Sequence, residues 1–140
     1  AAGRIVLELT ETALMENPAH SSRVLSRLRD NGIHVAIDDF GTGYSSFSYL
    51  RQLPASELKI DQTFVSAVRD DARVAQVVRS MISLAHHLDM IVIAEGVEDE
   101  ATLGLLREMG CDMAQGFHIG VPVPADEFLE GIAASAIPSV

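Results

Sequence analysis

Short, wholly apolar runs alternate along the chain with longer segments whose apolar residues recur every three to four positions. Ile5-Val6-Leu7, Ile33-His34-Val35-Ala36-Ile37, Leu58-Lys59-Ile60 and Met90-Ile91-Val92-Ile93-Ala94 have the length and β-branched content of buried strands. Cys111-Asp112-Met113-Ala114 gives a weaker fifth. Between them lie helical signals. Asn17 caps and Pro18 opens a helix carrying Val24, Leu25 and Leu28 on one face, stopped at Asn31-Gly32. A short helical stretch with Phe47 and Leu50 ends near Pro54. Val74, Val77, Val78, Met81, Ile82, Ala85 and Leu88 follow the 3.6-residue period and predict the longest helix. Asp99 caps a helix running to Met109 before Gly110, and Pro124 and Asp126 open a last one through Phe128, Leu129 and Ile132.

The order is therefore β-α repeated about five times. Apolar strands separated by helices predict an α/β fold with a parallel sheet covered on both faces. Two architectures fit: an open doubly wound sheet, or an arc of a (β/α)8 TIM-type barrel. A whole barrel needs roughly 250 residues, and this chain has 140.

Composition narrows the function classes. With 48% hydrophobic and 21% charged residues the chain reads as one compact domain with no linker or low-complexity tract. A formal net charge of −10 argues against a nucleic-acid polymer as partner, though not against a phosphate ligand held through cations. One cysteine, Cys111, allows no intramolecular disulfide, fits a cytoplasmic location, and reads as a small buried apolar residue. No apolar run reaches the ~18 residues of a membrane span, so no membrane contact is expected from this segment. Ala1-Ala2-Gly3 carries no signal-peptide pattern, and the chain reads as starting in mid-domain.

Polar residues recur where the strands end: Glu8, Asp38 with Asp39, Lys59, Glu95 and Gln115, at intervals of 30, 21, 36 and 20 residues. Ligands of parallel α/β folds bind at the C-terminal ends of strands, so this spacing gathers the six around one pocket. Four carboxylates close together repel one another unless cations sit among them. Lys59 supplies one charge, and oxygen-only donors point to Mg2+ or Mn2+ for the rest. Two such ions suit in-line attack on a phosphate ester. Each acidic residue taken singly is more simply a helix cap or a solvated strand end; the recurrence carries the signal.

Gly41-Thr42-Gly43-Tyr44-Ser45-Ser46 matches neither complete dinucleotide nor Walker loop, since Ser46 replaces a third glycine and no Gly-Lys-Ser/Thr follows. It reads as a turn beside the carboxylates. His20, His34, His86, His87 and His118 show no metal spacing, and no nucleophile elbow is present.

Five blocks resemble the EAL-domain family, in its order and near its spacing: Glu8-Leu9-Thr10-Glu11, Asp38-Asp39-Phe40-Gly41-Thr42-Gly43-Tyr44-Ser45-Ser46, Leu58-Lys59-Ile60-Asp61, Ala94-Glu95-Gly96-Val97-Glu98 and Gln115-Gly116-Phe117. The resemblance covers about Ile5 to Phe128. It implies a modified (β/α)8 barrel, of which these are about five βα units, hydrolysing cyclic-di-GMP to pGpG with two Mg2+ or Mn2+ ions. It implies Glu8 and Asp38 at the first metal, Asp38 bridging to a second, and Asp39 at that second metal. Glu95 becomes a second-metal ligand or the group orienting water, with Lys59 holding that water and Gln115 near the catalytic centre. Glu11 braces the loop containing Gly41, Thr42 and Gly43, with Glu98 in a similar supporting place, and the loop couples dimerisation to metal binding.

Two departures stand beside the resemblance. The family's Glu-Ala-Leu motif and its metal-sharing asparagine are missing and are expected upstream of Ala1; Glu11-Thr12-Ala13-Leu14 falls after the Glu8 strand and is no substitute. Val121 precedes Pro122 where the family often has a basic residue. Residues 1–140 are thus expected to be the C-terminal portion of such a domain, a phosphodiesterase module with little activity alone. A cyclic-di-GMP receptor and a dimerisation fragment are the alternatives. Exposed sheet edges lead to an expected homo-oligomer.

Overall fold

A computed structural model of the chain describes residues 5–43 and 47–134. Ala1 to Arg4, and Tyr44, Ser45 and Ser46 of the glycine-rich block, lie outside the described residues, as do the Phe47 and Ile132 side chains.

Five strands form one sheet in the order β1-β2-β3-β4-β5: β1 (Val6–Thr10), β2 (His34–Phe40), β3 (Glu57–Ile60), β4 (Ile91–Ala94) and β5 (Met113–Ala114). Every neighbouring pair is parallel. A doubly wound sheet reverses strand order at a switch point; this order never reverses. With right-handed crossovers, sequential order sends every helix to the same face. The arrangement is that of a barrel arc.

The helices are α1 (Glu11–Glu16), α2 (Pro18–Asp30), α3 (Phe47–Leu50), α4 (Gln62–Ala67), α5 (Ala72–His87), α6 (Glu100–Glu108) and α7 (Ala125–Ala134). Side-chain caps fix their starts. Asn17 accepts from the His20 N–H, Asp71 from those of Arg73 and Val74, and Asp99 from that of Thr102. The short helices α1 and α4 were not expected, because a single turn or two shows no apolar period.

Alternation along the strands separates two faces. Val35, Ile37, Leu58, Ile60, Val92 and Ala94 are at most 1% exposed and pack with Leu25, Val65, Val78, Ile82, Ala85 and Leu106 in one core. The register aligns Glu8 with Ala36, Thr10 with Asp38 and Lys59 with Ile93 on the opposite face. Among the described residues the second face is only partly closed, with Ile91 45% and Met113 55% exposed, and it is the face that carries the polar residues. Cys111 is part-buried against the core, where burial raises its thiol pKa, as expected of a packing residue.

Candidate active site

The site is built from the C-terminal ends of parallel strands, with one departure from regular geometry. Between Ile37 and Phe40 the register of β2 slips against β3, so that β2 holds one residue more than its partner. Asp38 and Asp39 occupy this bulge, and Asp39 takes φ 53°, a left-handed conformation to which aspartate is better suited than most residues. The Asp39 N–H donates to Asp38 Oδ1 at 3.0 Å. In a flat strand two neighbours point to opposite faces. Here one carboxylate oxygen each from Asp38, Asp39 and Glu95 lie within 4.8 Å of one another. The carboxylates expected after β2 thus lie inside it, at its bulge.

Lys59 is 4% exposed and sits among three of the acids. Its Nζ is 2.6 Å from Glu95 Oε1, 2.9 Å from Glu8 Oε2 and 3.6 Å from Asp38 Oδ1. Burial alone would lower its pKa; hydrogen bonds to Glu95 and Glu8 and the charges of Glu95 and Asp38 outweigh this and hold it well above the usual lysine value. The ammonium is therefore charged throughout the neutral range. Asp39 moves the other way from an ordinary carboxylate: burial, then the charges of Asp38 and Asp61, raise its pKa against the pull of Lys59. One ammonium does not neutralise Glu8, Asp38, Asp39, Asp61 and Glu95.

Glu95, Asp39 and Gln115 open onto a cleft of about 320 Å3, together with Asp61, Gln62, Gly96, Glu98, Gly116 and Phe117. Gln115 is fixed through its backbone, whose N–H donates to Ala94 O and whose carbonyl accepts from Val97 N–H. Glu98 stands exposed on the rim. Asp61 has the clearest claim that sequence reasoning passed over: it was quoted as part of Leu58-Lys59-Ile60-Asp61 but given no task. Its carboxylate caps α4 by accepting from the Thr63 N–H and hydroxyl, and its charge reaches Asp39.

Glu11, only 2% exposed, accepts from the N–H groups of Gly41 at 2.9 Å and Gly43 at 3.4 Å. The Thr42 hydroxyl donates to Asp39 O at 2.8 Å. These bonds tie the described part of the glycine-rich loop to both the first residue of α1 and the bulge. Glu8 lies outside the three-carboxylate group and is half-exposed, bound to Lys59. Of the histidines, His86 pairs with Asp112 and His118 with Glu100, both away from the carboxylates.

The donor set fits hard divalent cations: three converging carboxylates, all oxygen, with surplus negative charge and no cysteine or histidine among them.

Comparison with known proteins agrees with this geometry. Residues 1–122 match the family described as "EAL domain", and the chain belongs to that family. It is 43% identical over 129 residues to the bifunctional diguanylate cyclase/cyclic di-GMP phosphodiesterase MucR of Pseudomonas aeruginosa, covering 92% of this chain and 19% of that protein. The solved PaMucR phosphodiesterase in complex with c-di-GMP superimposes with a TM-score of 0.88 at 42% identity, over 91% of this chain and 51% of the other. The EAL domain of Mycobacterium smegmatis DcpA gives 0.89 at 37% identity, over 99% and 62%. The chain therefore spans a part of these relatives, as the barrel arc indicates.

Proposed function

We propose that the chain is the C-terminal part of a cytoplasmic, metal-dependent phosphodiesterase that opens cyclic-di-GMP to pGpG. The observation that carries the proposal is the convergence of Asp38, Asp39 and Glu95 beside a buried Lys59. Relatives named as cyclic di-GMP phosphodiesterases, and a related structure holding c-di-GMP, support the substrate.

Asp38, Asp39 and Glu95, with Glu8 alongside, would hold Mg2+ or Mn2+. Two ions there would neutralise phosphate charge and make a water more acidic. Water adds across one P–O3′ bond of the cyclic dinucleotide, leaving a 5′-phosphate and a free 3′-hydroxyl. Glu95, at the cleft wall, would hold the second ion or orient the attacking water. Lys59, drawn in by Glu8 and Glu95, would set the position of that acid and offset charge developing on the phosphoryl oxygens. Gln115, beside Glu95 on the neighbouring strand end, would offer its amide to the substrate.

The half-open face and the edges at β1 and β5 are where further barrel strands or a second copy would pack. The 140-residue segment alone is expected to self-associate through them, which light scattering would reveal; a monomer would count against this.

Turnover tests the reading. The full-length protein with Mn2+ should convert cyclic-di-GMP to pGpG, and Glu95→Gln should slow it about 100-fold or more. Tight binding with no product would select a receptor instead.

A further inference from the structure

Gly41 lies two residues beyond Asp39, at φ +100°. A Cβ placed on it would stand 2.4 Å from Met81 Cε and 2.8 Å from Phe64 Cε2. The Gly41 backbone thus rests directly on the tip of one side chain from α5 and the ring edge of another from α4. On another side of the same residue, the Gly41 N–H donates to the buried Glu11 carboxylate. The turn leaving the bulge is held between a polar clamp and an apolar floor. Only the polar clamp was visible in the sequence; Met81 read simply as one member of a helix face.

We propose that Met81 and Phe64 are positioning residues, which hold Asp39 in its left-handed conformation through contact with Gly41. The physical case is one of constraint. Asp39 occupies a sparsely populated backbone region, and such a conformation persists only when its surroundings over-determine it. The Glu11 bonds fix the N–H groups of Gly41 and Gly43 but leave the loop free to settle toward the core. Met81 is 9% exposed and belongs to the core together with Val78 and Ile82, so its side chain is backed by packed neighbours. Removing its tip opens a space directly under Gly41. The loop can then sink into it, Asp39 relaxes toward ordinary strand geometry, and its carboxylate leaves the Asp38–Glu95 group. A thioether at this point matters for shape, filling the irregular gap beneath a glycine.

This inference rests on the divalent-cation site proposed above. It is tested by measuring Mn2+ binding to the full-length protein, following free Mn2+ by electron paramagnetic resonance in the absence of substrate. Met81→Ala is expected to weaken Mn2+ binding about 10- to 100-fold, the range seen when an outer support of a metal site is lost. Met81→Leu, which refills most of the space, is expected to restore it. Leu106→Ala removes buried volume from α6 rather than from the α4 and α5 side chains under Gly41, and should leave Mn2+ affinity unchanged. Phe64→Leu removes the ring edge from Gly41 and should weaken binding in the same direction; it decides the matter if Met81→Ala does not fold by near-ultraviolet circular dichroism. Unchanged affinity in folded Met81→Ala, or equal weakening by Leu106→Ala, would overturn the positioning role while leaving the metal site standing. Failure of the unsubstituted protein to bind Mn2+ would overturn the site itself, and this inference with it.

Discussion

Asp38 and Asp39 are neighbours in sequence, yet their carboxylates approach one point, because the strand bulges where they stand and Asp39 adopts a left-handed backbone. Two like charges are placed together where regular alternation would separate them. Burial, then the neighbouring charges of Asp38 and Asp61, raise the Asp39 pKa, so its ionised form carries a cost here.

That cost has a measurable sign. Asn tolerates the left-handed conformation as well as Asp does, so Asp39→Asn removes charge while keeping the bulge. Without divalent ions at pH 7 the variant should melt at a higher temperature than the parent, by on the order of 0.5 kcal/mol for a partly exposed like-charge contact. With Mn2+ the order should invert. A ligand at a hundred times its Kd stabilises the protein that binds it by about 2.7 kcal/mol, and the variant should lose most of that gain. Differential scanning calorimetry with chelator and with Mn2+ checks both halves; a parent more stable than the variant in chelator would contradict the account.

Gly116 fixes the far wall of the cleft. A Cβ there would lie 2.3 Å from both the N and the O of Val97, backbone atoms that cannot step aside as a flexible side chain could. Gly116→Ala should therefore separate the loops after β4 and β5, cost about 1–3 kcal/mol, and displace Gln115. Denaturant melts read the stability; a rise in KM larger than the fall in kcat would place the effect on substrate contact.

Outside the site, Asp112 joins β4 to α5. Its carboxylate accepts from the Val92 N–H at 2.8 Å and pairs with His86 at 2.9 Å. Burial works to raise its pKa, but the hydrogen bonds from Val92 and His86 prevail and hold it below the usual carboxylate value. A carboxylate depressed by folding contributes stability that is present above its unfolded pKa near 3.8 and is lost as pH falls through the folded value. Asp112→Asn should accordingly be less stable than the parent at pH 5 to 7, with the gap shrinking below about pH 4. A gap that persisted undiminished in acid would assign the effect to packing.

Much of this was legible in the chain. The apolar runs set four strands, the caps Asn17 and Asp99 set two helix starts, and the spacing of Glu8, Asp38, Lys59, Glu95 and Gln115 put them at one end of a parallel sheet. Sequence pattern alone left barrel arc and doubly wound sheet open, because both read as β-α repeats and differ only in strand order. The bulge was not legible: two aspartates after an apolar run look the same whether they end a strand or kink it. Met81 and Phe64 were hidden for a related reason, since an apolar residue shows its period but not which backbone atom its tip will meet.

The most direct test follows pGpG release from cyclic-di-GMP by the full-length protein as Mn2+ is raised, beside Asp38→Ala. Asp38 lies in the three-carboxylate group and within reach of Lys59, so its loss should unite two failures. The account predicts Mn2+-dependent turnover in the parent and a loss of about 100-fold or more in the variant that added Mn2+ does not recover. Turnover that needs no divalent ion, or survives Asp38→Ala, would contradict it.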